Sequence, residues 1–264
     1  MTVLLTNRCL LKITGKDSQQ FLQSQFTNNI NQLSNNELQL NAYCQHQGKI
    51  IAIIWLLKRN NHFYLSIPKE INEAVVSKLN MFKLMSEVSI EDYSSNVYQY
   101  GVIGEIDQPS YKIKNNLSLL TTREQIPNTF DINHWEQACI ENSLPEVYSI
   151  TSEKFIPQAL NLDINELGVS FSKGCYPGQE VVARMHYLGK PKRRLFIFHS
   201  KSEINVGDSL NISDSKSLKP AGEVIRSSVY KDDYLALATF ETEHIGKDIL
   251  INNNPKQSIS VFNE

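Results

Sequence analysis

The sequence predicts an α+β fold that ends in a small all-β barrel or sandwich. Three observations carry this. Helical and strand patterns mix through the first 190 residues. After Gly189-Lys190-Pro191 only short strand-like runs remain. The composition, 41% hydrophobic and 20% charged over 264 residues, suits a chain that buries a sizeable core. The expected division is an α+β region over 1–190 and a β-domain over 191–264.

Leu10 to Ile13 reads as a short strand stopped at Gly15. Asp17 or Ser18 then opens a helix through Gln25, with Phe21, Leu22, Gln25 and Phe26 at helical spacing. Leu38 to Cys44 alternates as a strand. The stretch GKIIAIIWLLKRNNHFYLSIP is a hairpin, two β-branched and aromatic runs joined at Asn60-Asn61, which tolerate positive φ. Its unbroken apolar run predicts a strand covered on both faces. Ile71, Val75, Val76, Leu79 and Phe82 mark a helix; Val88–Ile90 and Val97–Ile103 mark strands. Residues 115–128 are polar and give no pattern. Ile132 to Glu141 is a helix stopped before Pro145. Beyond residue 190, Arg194–His199, Ser209–Ile212, Glu223–Tyr230, Tyr234–Phe240 and Ser258–Phe262 are strands, with turns such as Val206-Gly207-Asp208 and Lys231-Asp232-Asp233 between them.

A formal net charge of −2 gives no global basic field, so stable direct binding of nucleic acid is not expected. No run approaches the roughly 20 apolar residues of a membrane helix. The cysteines, at 9, 44, 139 and 175, never form a C-x-x-C pair. That spacing predicts reduced thiols in a cytoplasmic protein rather than a disulfide framework or a zinc knuckle.

The chemistry concentrates in KGCYPGQE, Lys173 to Glu180. Gly174 is expected to let the backbone turn, and Pro177-Gly178 is a turn dipeptide. A helix follows from Gln179, with Glu180 and Arg184 spaced to pair. Cys175 then lies just upstream of a helix N-terminus and beside Lys173, both of which favour a thiolate. A tight strand-to-helix connection with no chemistry fits the same residues equally well on these grounds alone.

The stretch resembles the K-G-C-[FY]-x-G-Q-E signature of the YgfZ family: Lys173, Gly174, Cys175, Tyr176, Gly178, Gln179 and Glu180 match it. The resemblance continues upstream through FIPQALNLDINELGVSF and downstream through VVAR and the KRR at Lys192 to Arg194. ITGKDSQQFLQSQFTNN and CQHQGK are similar to the family near the N-terminus. It implies a GcvT-like fold, that of the glycine-cleavage T-protein: a ring of three small domains with a C-terminal antiparallel β-barrel. It also implies tetrahydrofolate or a one-carbon derivative as cofactor. The implied partners are iron–sulfur clients such as the radical enzymes that thiolate tRNA, and a monomer is expected.

The resemblance implies site residues too. Trp135 aligns with a tryptophan of the family's folate site, while Arg8 stands where a second tryptophan is found and is suited to a folate carboxylate. The T-protein's acidic pair falls on Ala52 and Ile53, so no carboxylate is available there for aminomethyl transfer. The expected function is a folate-binding factor for iron–sulfur protein maintenance and tRNA modification, with Cys175 as cluster ligand, redox thiol or nucleophile. A one-carbon transferase, a cysteine-dependent hydrolase with His186 as base, and an RNA-binding module are the alternatives. Cys44 with His46 is a weak metal pattern, and no metal is expected. The basic cluster of Lys190, Lys192, Arg193 and Arg194 reads as a solvated charge run.

Overall fold

A computed structural model describes residues 1–213 and 219–262. Among the described residues, three sheets organise the fold, with four α-helices beside them. The strands are β1 (Thr2–Leu4), β2 (Arg8–Thr14), β3 (Glu37–Cys44), β4 (Ile50–Arg59), β5 (His62–Pro68), β6 (Ser89–Asp92), β7 (Tyr98–Ile103), β8 (Tyr111–Lys114) and β9 (Leu117–Thr122). The C-terminal ones are β10 (Arg193–Ser200), β11 (Ser209–Ile212), β12 (Gly222–Tyr230), β13 (Asp233–Glu241), β14 (Ile249–Ile251) and β15 (Ser258–Val261). The helices are α1 (Ser18–Gln25), α2 (Asn72–Phe82), α3 (Ile132–Glu141) and α4 (Gln179–Leu188).

The first sheet runs β3-β4-β5-β2-β6. Its longest strand is the interior β4, buried from Ile50 to Leu57 on both faces, as its unbroken apolar run predicts. Ala52, Ile54 and Leu56 pack with Phe21 and Leu22 of α1 and with Val75 and Leu79 of α2. Ile53, Trp55 and Leu57 face the other way, into a core shared with β9, α3 and the outer side of the barrel. The β4–β5 hairpin turns at Asn60 and Asn61, both with positive φ.

The second sheet runs β1-β7-β9-β8. Two of its features escape the sequence reading. Strand β1 is only three residues long, too short for a periodic signal. The polar stretch from residue 115 opens with the turn and second strand of a β8–β9 hairpin, whose turn residue Asn115 sits at φ 48°; the alternation is there in Tyr111-Lys112-Ile113 and Leu117-Ser118-Leu119, but each run is short. The barrel closes in the order β10-β13-β12-β11-β14-β15, with β15 pairing back onto β10. Its inside is filled by Phe198, Leu210, Val224, Ala236, Ala238 and Phe240. The three-residue β14 is an added strand that the turn-rich sequence around it conceals. Among the described residues no helix is long and apolar enough to cross a membrane.

Candidate functional site

The motif loop lies over the C-terminal end of α1 and the β3–β4 turn. Lys173 is buried, and its Nζ donates to the carbonyl oxygens of Gln23, at 2.6 Å, and Phe26. It thereby satisfies carbonyls that a helix end leaves without partners. Burial pulls the Lys173 amine down to about 8. The expectation that Lys173 favours a Cys175 thiolate is corrected here, because its buried amine is turned onto the end of α1, where two of its three donors are used, and makes no bond to Cys175.

Tyr176 is buried, and burial, with Cys44 nearby, raises its hydroxyl well above the usual tyrosine range. The Gln179 N–H donates to the Tyr176 carbonyl at 3.1 Å, closing the turn before α4. Gly178 has φ 82°, and a Cβ there would lie 2.6 Å from both the Gln45 carbonyl oxygen and the Gly48 Cα. Gly174 differs from its expected role: it has no positive φ, and no heavy atom stands within 4 Å of where its Cβ would be. The turn does not require a glycine there. The space beside it is open.

Cys175 is exposed, whereas Cys9, Cys44 and Cys139 are buried free thiols. Burial pushes Cys9 up to about 11 and Cys139 to about 12, and raises Cys44 further still. Those three are poor nucleophiles for lack of both access and thiolate. Cys175 makes no hydrogen bond or ion pair among the described residues, and Tyr176, Pro177 and Gly178 separate it from the start of α4. His186, weighed as its base, stacks on Phe171 with ring centroids 3.6 Å apart. Glu180 and Arg184 form no ion pair with each other; both line an open groove on the outer side of α4. His46 is exposed while Cys44 is buried, so the two do not converge. In the basic cluster, Arg194 grips Asp163 with two bonds of 2.6 and 3.0 Å, and Arg193 meets Glu241 at 3.2 Å.

Arg8 and Trp135 come together elsewhere, where the three sheets meet. The Arg8 guanidinium lies 3.5 Å above the Trp55 ring, and Trp55 meets Trp135 edge-on at 6.3 Å. Trp135 packs so closely on β7 that a Cβ on Gly101 would fall 2.4 Å from its ring. Arg8 donates to the Ser66 hydroxyl at 2.9 Å, the Ser66 carbonyl at 2.8 Å and the Glu146 carboxylate. Arg226 donates to Glu136 and to the Leu144 carbonyl, and its Nη2 lies 3.7 Å from Glu146. Two arginines and two glutamates thus balance at this junction, with Arg8, Glu146 and Arg226 all buried.

Sequence reasoning misses Glu136, Glu146 and Arg226. Arg226 follows Val224 and Ile225 in β12 at a register shift between Val224 and Arg226, a bulge that re-aims the strand's side chains. Because β12 also carries Glu223, Ser227 and Ser228, nothing in its composition marks Arg226 as buried. Ala52 and Ile53, where the T-protein's acidic pair falls, are both fully buried in β4.

No family model matches the chain. An uncharacterized protein of Haemophilus influenzae is 34% identical, over 88% of this chain and 86% of its own length. The tRNA-modifying protein YgfZ of Buchnera aphidicola subsp. Schizaphis graminum is 30% identical, over 76% and 74%. That of Colwellia psychrerythraea is 28% identical, over 81% and 77%. Among solved structures, the glycine cleavage system aminomethyltransferase T from Bartonella henselae superposes with a TM-score of 0.68. The superposition covers 99% of this chain and 84% of that one at 11% identity, a likeness of fold alone.

Proposed function

Since the chain belongs to the YgfZ family, we propose that it supports tRNA modification by maintaining iron–sulfur proteins, with the Cys175 thiol as its working group. One observation carries the reading. Of four cysteines only Cys175 is exposed, and its loop is held from both sides by residues of the same motif. Lys173 ties the loop to α1, and Tyr176 anchors it in the core. Gly178 seats it against the β3–β4 turn. Gly174 leaves the space beside the thiol open for an incoming group. A rigid seat, an accessible sulfur and an unfilled approach are what a thiol needs to ligate, exchange or attack.

Tetrahydrofolate is the ligand that the likeness of fold suggests, and Arg8 with Trp135 does not fit it. The Arg8 charge already has a carboxylate in Glu146, and its remaining donors are on Ser66. Trp135 is buried between Trp55 and Gly101, with no free face for a pterin. A folate would have to displace Glu146 and separate the Trp55 and Trp135 indoles. The proposed folate binding therefore rests on other residues, and no step of the thiol's chemistry is routed through this pair.

The test is complementation of a strain lacking its own YgfZ, read as the content of thiolated tRNA nucleosides. Cys175→Ser is expected to give the level of the empty strain while the purified protein keeps its thermal stability. Wild-type levels from Cys175→Ser would overturn the proposal.

A further inference from the structure

A cleft of about 490 Å³ opens between the first and second sheets, at the end of β4 away from the motif. Gly48, which meets the motif, precedes β4, and Arg59 ends it. Ten residues of strand span roughly 30 Å. The cleft shares no lining residue with the Arg8–Trp135 junction or with the Cys175 loop.

Its walls are phenolic. Tyr64 and Tyr93 lie 5.7 Å apart, tilted by 58°, with Tyr111 of β8 among the residues that line the cleft and Leu57 on its floor side. Arg59, the last residue of β4, and Arg123, directly after β9, complete it. Neither guanidinium has a hydrogen bond or ion pair among the described residues, and no carboxylate among them lines the cleft. Both arginines act on the same phenol: burial, and then Tyr93, raises the Tyr64 hydroxyl, while Arg59 and Arg123 pull it down. Outside the cleft lining, the Lys12 ammonium lies 5.4 Å from the centre of the Tyr93 ring.

We infer that this cleft binds a flat aromatic small molecule carrying an anionic tail, the ring against the tyrosines and the tail on Arg59 and Arg123. Two uncompensated guanidinium groups facing one tyrosine repel each other, and an anion between them relieves that repulsion. Phenol rings offer flat apolar faces with hydroxyls for ring heteroatoms. The volume lies within the range of small-molecule sites, about 300–1,000 Å³. A pteridine with a glutamate tail and a nucleotide with a phosphate share this chemistry; the first of these rests on the folate reading above.

The test is calorimetric titration of the full chain with tetrahydrofolate and, separately, with adenosine 5′-monophosphate. Wild type is expected to bind one of them. The double variant Arg59→Ala/Arg123→Ala should bind that probe about tenfold more weakly or worse, since charge-assisted hydrogen bonds are lost. Both arginines are exposed, so the melting temperature should be unchanged. Tyr64→Leu should weaken the same probe. Binding of the monophosphate alone would remove the folate reading and leave the cleft standing. Equal affinity of wild type and double variant for tetrahydrofolate would leave the folate reading and remove the cleft. Failure of both probes to bind wild type at roughly millimolar concentration would overturn the inference.

Discussion

Gly178 and Gly48 stand backbone to backbone: a Cβ on Gly178 would come within 2.6 Å of the Gly48 Cα and 2.7 Å of its nitrogen. Both have positive φ, 82° and 74°. Two stretches 130 residues apart in the chain, CQHQGK and KGCYPGQE, meet there. The glycines of the two stretches are matched to each other as much as to any ligand.

Gly178→Ala should therefore be severe. A left-handed conformation costs an L-residue about 1–2 kcal/mol, and overpacking against backbone adds about 1–3. Gly174→Ala meets open space and should change stability by less than about 0.5 kcal/mol, yet it narrows the approach to Cys175. Urea melts and complementation together separate the two. Full thiolated-tRNA levels from Gly174→Ala would show that the open space is unused.

Cysteine labelling should be selective. With the native protein and limiting iodoacetamide, the peptide holding Cys175 should carry nearly all the label, since the other three thiols are buried. Labelling of all four at similar rates would mean that the first sheet, with Cys9 and Cys44, and the α3 core around Cys139 open readily. Mass spectrometry of the digest reads either outcome.

Lys173 gives a pH dependence of definite sign. Its amine titrates at about 8 in the fold against 10.5 for the ordinary side chain. Between these values the unfolded chain holds more protons, so stability from this group rises with pH across that window. Below the lower value both states are protonated and the whole penalty, at most about 3 kcal/mol, is present. Lys173→Met removes the titration. The stability difference between wild type and Lys173→Met, from urea melts at about pH 7.5 and about pH 10, should shift in favour of wild type at the higher pH. An unchanged difference would contradict the burial of the amine.

Glu146→Gln should destabilise by about 3 kcal/mol, because it leaves Arg8 with a weaker partner and Arg226 with only one carboxylate. Replacing the exposed Glu87, paired with Lys16 at the surface, should cost under about 1 kcal/mol. Equal effects would mean that the junction is solvated.

The sequence makes the local elements of this fold legible where spacing is strong. The Asn60-Asn61 hairpin, the helix from Ile132 and the strand run after residue 190 all follow from periodicity and turn chemistry. Strands β1 and β14 stay hidden because three residues carry no period. The motif is readable as a motif, but not the direction of its side chains: adjacency in KGC suggests that Lys173 serves Cys175, while the fold turns the amine onto α1. Arg8 likewise looks available for a ligand because its partner, Glu146, lies 138 positions away.

That separation bears on how the protein is made. At about 5–20 residues per second, Arg8 leaves the ribosome roughly seven to thirty seconds before Glu146, and Arg226 follows later still. Strand β1 waits in the same way, since its partner β7 begins at Tyr98. During this interval the first sheet carries an uncompensated cation on its inner face, and until α3 emerges it lacks the Trp135 indole that meets Trp55. Nascent chains of this protein should thus depend on holding chaperones until the barrel strand bearing Arg226 has emerged, and truncations ending before β12 should be cleared by proteases rather than accumulate.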